Sequence, residues 1–149
     1  MLGVKTYTRA YVDACRSRVD DELSAFDKLI ETAKSGSPDT SELTRAVDSF
    51  ESSYFNHLVI LLDALFMHRL RVVEGKDGNP LNEVRVLSES LLLRDGVFTV
   101  EKVMKLVPAK TVLKHQPGDE VRITREQFGA LSSAYFAEIE ARFLEPVAV

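Results

Sequence analysis

Residues 49–85 decide the fold of this chain, and they read SFESSYFNHLVILLDALFMHRLRVVEGKDGNPLNEVR. The first part is apolar at helical spacing, and it passes directly into a polar loop that glycines at positions 75 and 78 allow to turn. Asn79 can cap the free N–H groups of a new helix, and Pro80 fits the first helical position. The stretch therefore predicts two long helices joined by a charged corner.

The chain up to this corner predicts two helices. Apolar side chains recur every three or four positions from residue 7 to residue 34, and Gly36 stands where a glycine ends a helix. Residues 39–42, DTSE, resemble a capping box and introduce a second helix, which we expect from Leu43 to about Val73. This helix is apolar over roughly 180° of its circumference, more than packing on one side requires. We therefore expect a homodimer that covers the excess.

The chain after the corner predicts two more helices and a hairpin. The third helix is expected from Pro80 to about residue 95, and a short helical piece follows it. Residues 111–124, TVLKHQPGDEVRIT, resemble two short strands around a tight turn, which predicts a β-hairpin. Thr124 and Gln127 form a second capping-box pattern at the start of the last helix. The predicted fold is all-α: a four-helix bundle with a short helical segment and a β-hairpin inserted before the last helix.

Size and composition indicate one ordinary globular domain covering residues 1–149. The net charge is -4, with acidic and basic residues interleaved, so general nucleic-acid binding is not predicted. Cys15 is the single cysteine, which excludes an internal disulfide and fits a reducing compartment. The longest apolar run, residues 58–62, is too short to cross a membrane, and we expect a cytoplasmic protein.

Polar side chains project onto the apolar face of the second helix. Successive residues of a helix turn by about 100°, and this projection places groups that are costly to bury unpaired on that face. The predicted buried polar cluster comprises Glu22, Glu51, Tyr54 and His57. His68 and Arg69 project to the same side. Two interpretations stay open: internal pairing of these groups, or an enzyme or metal site built on them.

A di-metal carboxylate site is one form of the second interpretation, and the spacing argues against it. Ferritin-like sites use Glu-x-x-His pairs, and the chain has none. His57 and His68 lie about 16.5 Å apart along one straight helix, whereas zinc ligands lie within about 2.0–2.2 Å of the ion. We therefore predict no metal and no cofactor, while a site combining His57 with carboxylates of other helices stays open.

The charged corner is the better candidate for a site. Its predicted ligand-binding or partner-binding residues are His68, Arg69, Arg71, Glu74, Lys76, Asn79, Asn82 and Arg85. Guanidinium groups and the N–H groups at the start of the third helix suit a carboxylate or a phosphate. The alternative is a structural corner, in which Asn79 caps a helix and the arginines pair with Glu74 or Glu83.

These observations favour an interaction protein over an enzyme. We expect a self-associating or small-ligand-binding module, with a second copy, a small anionic ligand or a protein partner at the charged corner. The alternative is an enzyme, or a metal-binding or anion-binding protein, with a buried polar site on the second helix. The sequence has no Gly-x-Ser-x-Gly motif and no phosphate loop, so it does not predict those types of catalysis or nucleotide binding.

Overall fold

A computed structural model describes residues 3–36 and 41–147 as an assembly of helices joined by loops. The helices are α1 (Arg9–Ser35), α2 (Ser41–Leu65), α3 (Arg71–Glu74), α4 (Pro80–Leu93) and α5 (Arg125–Phe143), with a 3-10 turn at Pro108–Lys110. The predicted all-α class is confirmed. No helix in the described ranges is both long enough and apolar enough to span a membrane.

Local capping fixes where three of the long helices begin. The Thr8 side chain caps α1, and the Asn79 side chain accepts from the N–H of Leu81 at 2.8 Å at the start of α4. Thr124 and Gln127 form a complete capping box at the start of α5. Side-chain oxygens here satisfy N–H groups that have no partner within the helix. The predicted starts of α4 and α5 are therefore confirmed, whereas Asp39 and Thr40 of the capping pattern at residues 39–42 lie outside the described residues.

The second helix ends earlier than the sequence predicts. Helix α2 stops at Leu65 instead of continuing to Val73, and the short α3 forms only after a break. At the break, the N–H of Val4 donates to the carbonyl of His68 at 2.7 Å, and the N–H of Leu70 donates to the carbonyl of Val4 at 2.9 Å. The chain near residue 4 thus takes up backbone groups that a continuous helix would use.

The same N-terminal segment also joins the end of α5. The N–H of Tyr7 donates to the carbonyl of Phe143 at 2.6 Å, and the N–H of Glu145 donates to the carbonyl of Tyr7 at 2.8 Å. The Tyr7 ring stacks on Tyr11 with ring centroids 5.4 Å apart. This segment therefore connects the break after α2 to the last helix.

The predicted β-hairpin at residues 111–124 is wrong. Within the described residues there is no β-strand, and the two halves of this segment do not pair with each other. The second half pairs instead with residues 96–98: the N–H of Phe98 donates to the carbonyl of Asp119 at 2.8 Å, and the N–H of Val121 to the carbonyl of Gly96 at 2.8 Å. The predicted turn does form, since the N–H of Asp119 donates to the carbonyl of Gln116 at 3.0 Å.

Side chains of α2 and α4 take the place of the missing strand partners. Residues 94–124, here called the long loop, lie against these helices. The Asn56 side chain donates to the carbonyl of Val121 at 2.9 Å and accepts from the N–H of Ile123 at 3.2 Å. Because these backbone groups are satisfied from outside the segment, its β-like pattern produces no hairpin.

One apolar core lies between the four long helices, and α2 is at its centre. Helix α2 contacts α1, α4 and α5, and Phe55, Val59 and Leu62 on it are fully buried. Phe98, Val121 and Ile123 of the long loop complete the core. Of the wide apolar face that motivated the homodimer prediction, the stripe around Phe55 and Leu62 is covered within the chain, whereas Ala64 is exposed and Met67 is 60% exposed.

Candidate functional site

The centre of the candidate site is the Glu74 carboxylate, which is 0% exposed. It lies in the helix corner, defined here as residues 66–79 between α2 and α4. One oxygen, Oε1, accepts from Arg69 Nε at 2.6 Å and from Arg85 Nη2 at 2.5 Å. The other, Oε2, accepts from Asn82 Nδ2 at 2.7 Å and from Arg85 Nε at 3.1 Å. Both oxygens are therefore fully used by side chains of the same chain.

Arg69 is the buried cation of this network, with 3% of its surface exposed. Its Nη1 group donates to the carbonyl of Phe66 at 3.1 Å. Its Nη2 group donates to Asp63 Oδ1 at 3.0 Å and to the carbonyl of Leu81 at 3.3 Å. The guanidinium carbon also lies 5.7 Å from the centre of the Tyr135 ring. Arg69 is thus saturated by internal partners and is not available to a ligand.

Charge pairing keeps Glu74 ionised in spite of its burial. Burial by itself would raise the pKa of the Glu74 carboxyl, but the hydrogen bonds and charges of Arg85 and Arg69, with Asn82, outweigh it and hold this pKa below its usual value. Opposite charges within hydrogen-bonding distance favour the charged form of a carboxyl group. The corner therefore contains a buried ion cluster whose charges are compensated.

A second set of contacts fixes the corner to α5. Arg142 donates from Nη1 to the carbonyl of Glu74 at 3.1 Å, from Nη2 to Asp77 Oδ2 at 3.2 Å and from Nε to Glu138 Oε2 at 2.6 Å. Asn79 donates from Nδ2 to the same Glu74 carbonyl at 2.9 Å. Arg142 was not among the predicted site residues, because nothing near it in sequence indicates a contact with the corner.

The predicted site residues separate into an inward and an outward set. Arg69, Glu74, Asn79, Asn82 and Arg85 belong to the internal network, and the structure brings them together. His68, Arg71 and Lys76 are exposed, and their side chains make no hydrogen bond or ion pair with any described residue. Beside them, Met67 is 60% exposed and Val72 is 83% exposed. We call Met67, His68, Arg71, Val72 and Lys76 the corner surface.

A small groove lies where the two sets meet. Arg71 and Arg85 line it together with Glu89, Glu101, Val103 and Met104, among others, and its volume is about 40 Å³. A water molecule needs roughly 10–15 Å³ by this measure, whereas small-molecule sites occupy roughly 300–1,000 Å³. The groove therefore admits the tip of a side chain or a small anion, and it does not enclose an organic ligand.

The predicted buried polar cluster does not converge on one point. The Tyr54 hydroxyl donates to Glu22, and burial together with this hydrogen bond raises the pKa of Tyr54 to about 12. Glu51 accepts from the backbone N–H of Arg125 at 2.8 Å, so it caps α5 from a neighbouring helix. His57 is exposed. Glu22 and Tyr54 therefore form one pair, Glu51 serves a separate helix cap, and His57 takes part in neither.

The prediction that His57 and His68 lie on the buried side of the second helix is wrong. The projection was centred on Tyr54, which is only half-buried, whereas the buried side is centred on Phe55 and Leu62. His68 moreover lies beyond the end of α2. Across the described part of the chain, no group of three or more histidine, cysteine, aspartate or glutamate side chains is arranged to hold a metal ion.

A second buried carboxylate, Glu83 on α4, was missed as a central residue. It is 2% exposed, and its two oxygens accept from the N–H groups of Val112 at 2.8 Å and Leu113 at 2.9 Å. Burial raises the pKa of Glu83, and the two backbone hydrogen bonds lower it only in part. No ion pair reaches Glu83 from the residues that the structure describes. The arginines thus pair with Glu74, while Glu83 holds the long loop.

Comparison with known proteins adds no relative to this description. No family model matches the chain, and no curated protein and no solved structure matches it. The function proposed for the chain therefore rests on the geometry of the helix corner.

Proposed function

We propose that the protein is a non-enzymatic interaction module that contacts a protein partner through the corner surface. The observation that carries the proposal is the combination of a fixed corner with exposed side chains that have no internal partner. A buried Arg–Glu pair is often no better for stability than apolar residues of similar volume. Its presence under the corner surface is better explained by the need to hold those side chains in one geometry.

The composition of the corner surface supports a protein partner. Met67 and Val72 expose large apolar groups, four residues before Arg71 and one residue after it in the sequence. Methionine and arginine are enriched at protein–protein interfaces relative to the rest of the surface. Exposed apolar side chains and an arginine that is unpaired within the described residues, all in the same short segment, offer a partner both apolar burial and directional hydrogen bonding.

The internal network supports binding over catalysis. General acid–base catalysis requires a titratable group that can reach a substrate. Glu74 is held ionised below the surface by Arg69, Asn82 and Arg85. The adjoining groove of about 40 Å³ offers no enclosed space for a substrate. No cofactor and no metal is part of this proposal.

A second copy of the chain is one such partner. Because the stripe of α2 around Phe55 and Leu62 is covered within the chain while Met67 and Val72 are exposed, we place the contact of a homodimer at the corner surface. Light scattering over a rising protein concentration distinguishes the two forms of the proposal. A dimer that Val72→Asp converts to a monomer identifies the partner as a second copy, and a wild-type monomer identifies it as another protein.

Affinity purification from source cells tests the proposal with a matched pair of variants. Val72 is 83% exposed and Val147 is 88% exposed, so Val72→Asp and Val147→Asp add the same charge at equally open positions. We expect a stoichiometric co-purifying protein, or a second copy, that is lost with Val72→Asp and retained with Val147→Asp. Retention of every partner by Val72→Asp, with an unchanged circular dichroism spectrum, would contradict the proposal.

A further inference from the structure

We infer that the partner presents an acidic segment with apolar side chains, and that this segment lies across the corner surface and residues 101–107 of the long loop. The inference rests on the proposed function and specifies the partner's chemistry. We call the two parts together the composite surface.

The two parts of the composite surface are direct neighbours. A Cβ atom added to Gly78 of the corner would lie 2.6 Å from the carbonyl oxygen of Lys105, so the two backbones touch there. Arg71 of the corner and Val103 of the long loop line the same groove. A segment that contacts Arg71 therefore also reaches residues 101–107.

Both parts of the composite surface expose apolar side chains. Val72 and Met67 of the corner are exposed, as are Val103 and Val107 of the long loop. Single exposed apolar residues are ordinary, whereas several on neighbouring segments mark an interaction site. The composite surface thus offers a partner apolar area as well as charge.

The charge of the composite surface is opposite to that of the whole chain. Exposed cations that have no ion pair within the described residues are Arg71, Lys76, Lys102 and Lys105. The exposed acids there are Asp77, which is paired with Arg142 at 3.2 Å, and Glu101, so the cations remain in excess. Since the protein has a net charge of -4, this surface is a local basic area on an acidic molecule. Complementary charge steers an acidic partner to this area and away from the rest.

The groove gives one carboxylate of the partner a defined place. Arg85 is oriented by its two hydrogen bonds to Glu74, and Arg71 lies on the same groove without a partner of its own in the described structure. A planar guanidinium is well suited to a carboxylate. Glu89 and Glu101 also line the groove, and they repel a continuous run of negative charge. An acidic peptide with spaced carboxylates therefore fits better than a nucleic acid or an anionic membrane.

Selection from a library of random peptides tests this inference without a known partner. Peptides enriched on the wild-type protein are synthesised, and their affinities are measured by fluorescence anisotropy. We expect them to be acidic with apolar residues, to bind more weakly at high salt, and to lose about tenfold in affinity with Arg71→Glu. Lys28→Glu, at an exposed position of α1, is the matched control and leaves the affinity unchanged.

The other outcomes separate the inference from the proposed function. Neutral or basic peptides that lose binding with Val72→Asp would overturn the inference and leave the interaction function standing. Peptides that bind equally to the wild type, Arg71→Glu and Val72→Asp, or no enriched peptides at all, would overturn both. Tighter binding of phosphatidylserine vesicles or single-stranded oligonucleotides than of any peptide would also overturn the inference.

Discussion

Glu74 and Glu83 are both buried carboxylates, yet the chain satisfies them in different ways. Glu74 is surrounded by Arg69, Arg85 and Asn82, and its pKa lies below the usual value. Glu83 receives only two backbone N–H groups of the long loop, and its pKa lies above the usual value. Full charges fix the corner, whereas peptide dipoles fix the loop. We infer that the conformation of the corner is held more strongly than that of the long loop.

Removing the charge of Glu74 is expected to have the largest effect on stability. Glu74→Gln leaves the guanidinium of Arg85 without a counter-charge and leaves buried Arg69 with Asp63 alone, which costs about 3–5 kcal/mol. Urea unfolding near neutral pH measures the change. Glu138→Gln is the control, because Glu138 pairs with Arg142 at a partly exposed position and its loss costs less than about 1 kcal/mol. Equal losses of unfolding free energy in the two variants would contradict the expectation that a buried ion pair contributes more than a partly exposed one.

Two glycines, one in the corner and one in the long loop, allow the same comparison for the backbone. Gly78 and Gly118 have φ values of +83° and +96°, and a Cβ on Gly118 would meet nothing within 4 Å. Gly118→Ala therefore costs only the left-handed conformation, about 1–2 kcal/mol. Gly78→Ala adds a contact with the Lys105 carbonyl, which costs about 1–3 kcal/mol more. Thermal unfolding of both variants measures the difference. Similar melting temperatures would show that the backbone around Gly78 accommodates an added Cβ as easily as the backbone around Gly118.

Changing Glu83 is expected to have a smaller and more local effect. In Glu83→Gln the amide nitrogen cannot accept a hydrogen bond, so one N–H of the long loop loses its acceptor at a cost of about 1–3 kcal/mol. Hydrogen exchange should accelerate at Val112 and Leu113, while the corner amides of Gly78 and Leu81 keep their protection. Unchanged exchange at Val112 and Leu113 would mean that the carboxylate does not hold the loop.

The contributions of Glu74 and Glu83 to the free energy of unfolding should change with pH in opposite directions. The pKa of Glu74 in the folded protein lies below the ordinary value of 4.5. Its contribution to the free energy of unfolding is therefore present above pH 4.5 and is lost as the pH falls through the folded pKa. The folded pKa of Glu83 is raised, so its contribution is lost as the pH rises above 4.5 through the folded pKa. Urea titrations of wild type, Glu74→Gln and Glu83→Gln across this range measure both, and parallel curves would contradict the assignment.

Local signals in the sequence predicted the helices and part of the site. Asn79 with Pro80, and Thr124 with Gln127, act on backbone groups next to themselves, so their effect can be read without knowing the fold. Arg69, Glu74 and Arg85 were named for the same reason, since they lie close together in the chain. Whether they bound a ligand or each other was left open, because burial depends on the packing of distant helices.

The errors at the end of α2, in residues 111–124 and at Arg142 share one physical cause, which is a partner distant in sequence. Val4 ends α2 early, and the side chains of Asn56 and Glu83 take backbone groups that a hairpin would use. Arg142 joins the corner from α5 and was not predicted to do so. Tertiary contacts of this kind override the local sequence pattern, and the pattern itself does not indicate them.

The backbone bonds between Tyr7 and residues 143–145 have a consequence for synthesis on the ribosome. They close a loop that contains nearly all of the described chain, and such non-local closure slows folding. Helix α1 can form as soon as it emerges, and Val4 can pair with His68 and Leu70 once residue 70 has emerged. Tyr7 lacks its partners until residues 143–145 have also emerged, so the connection between the N-terminal segment and α5 is the last of these contacts to form on the nascent chain.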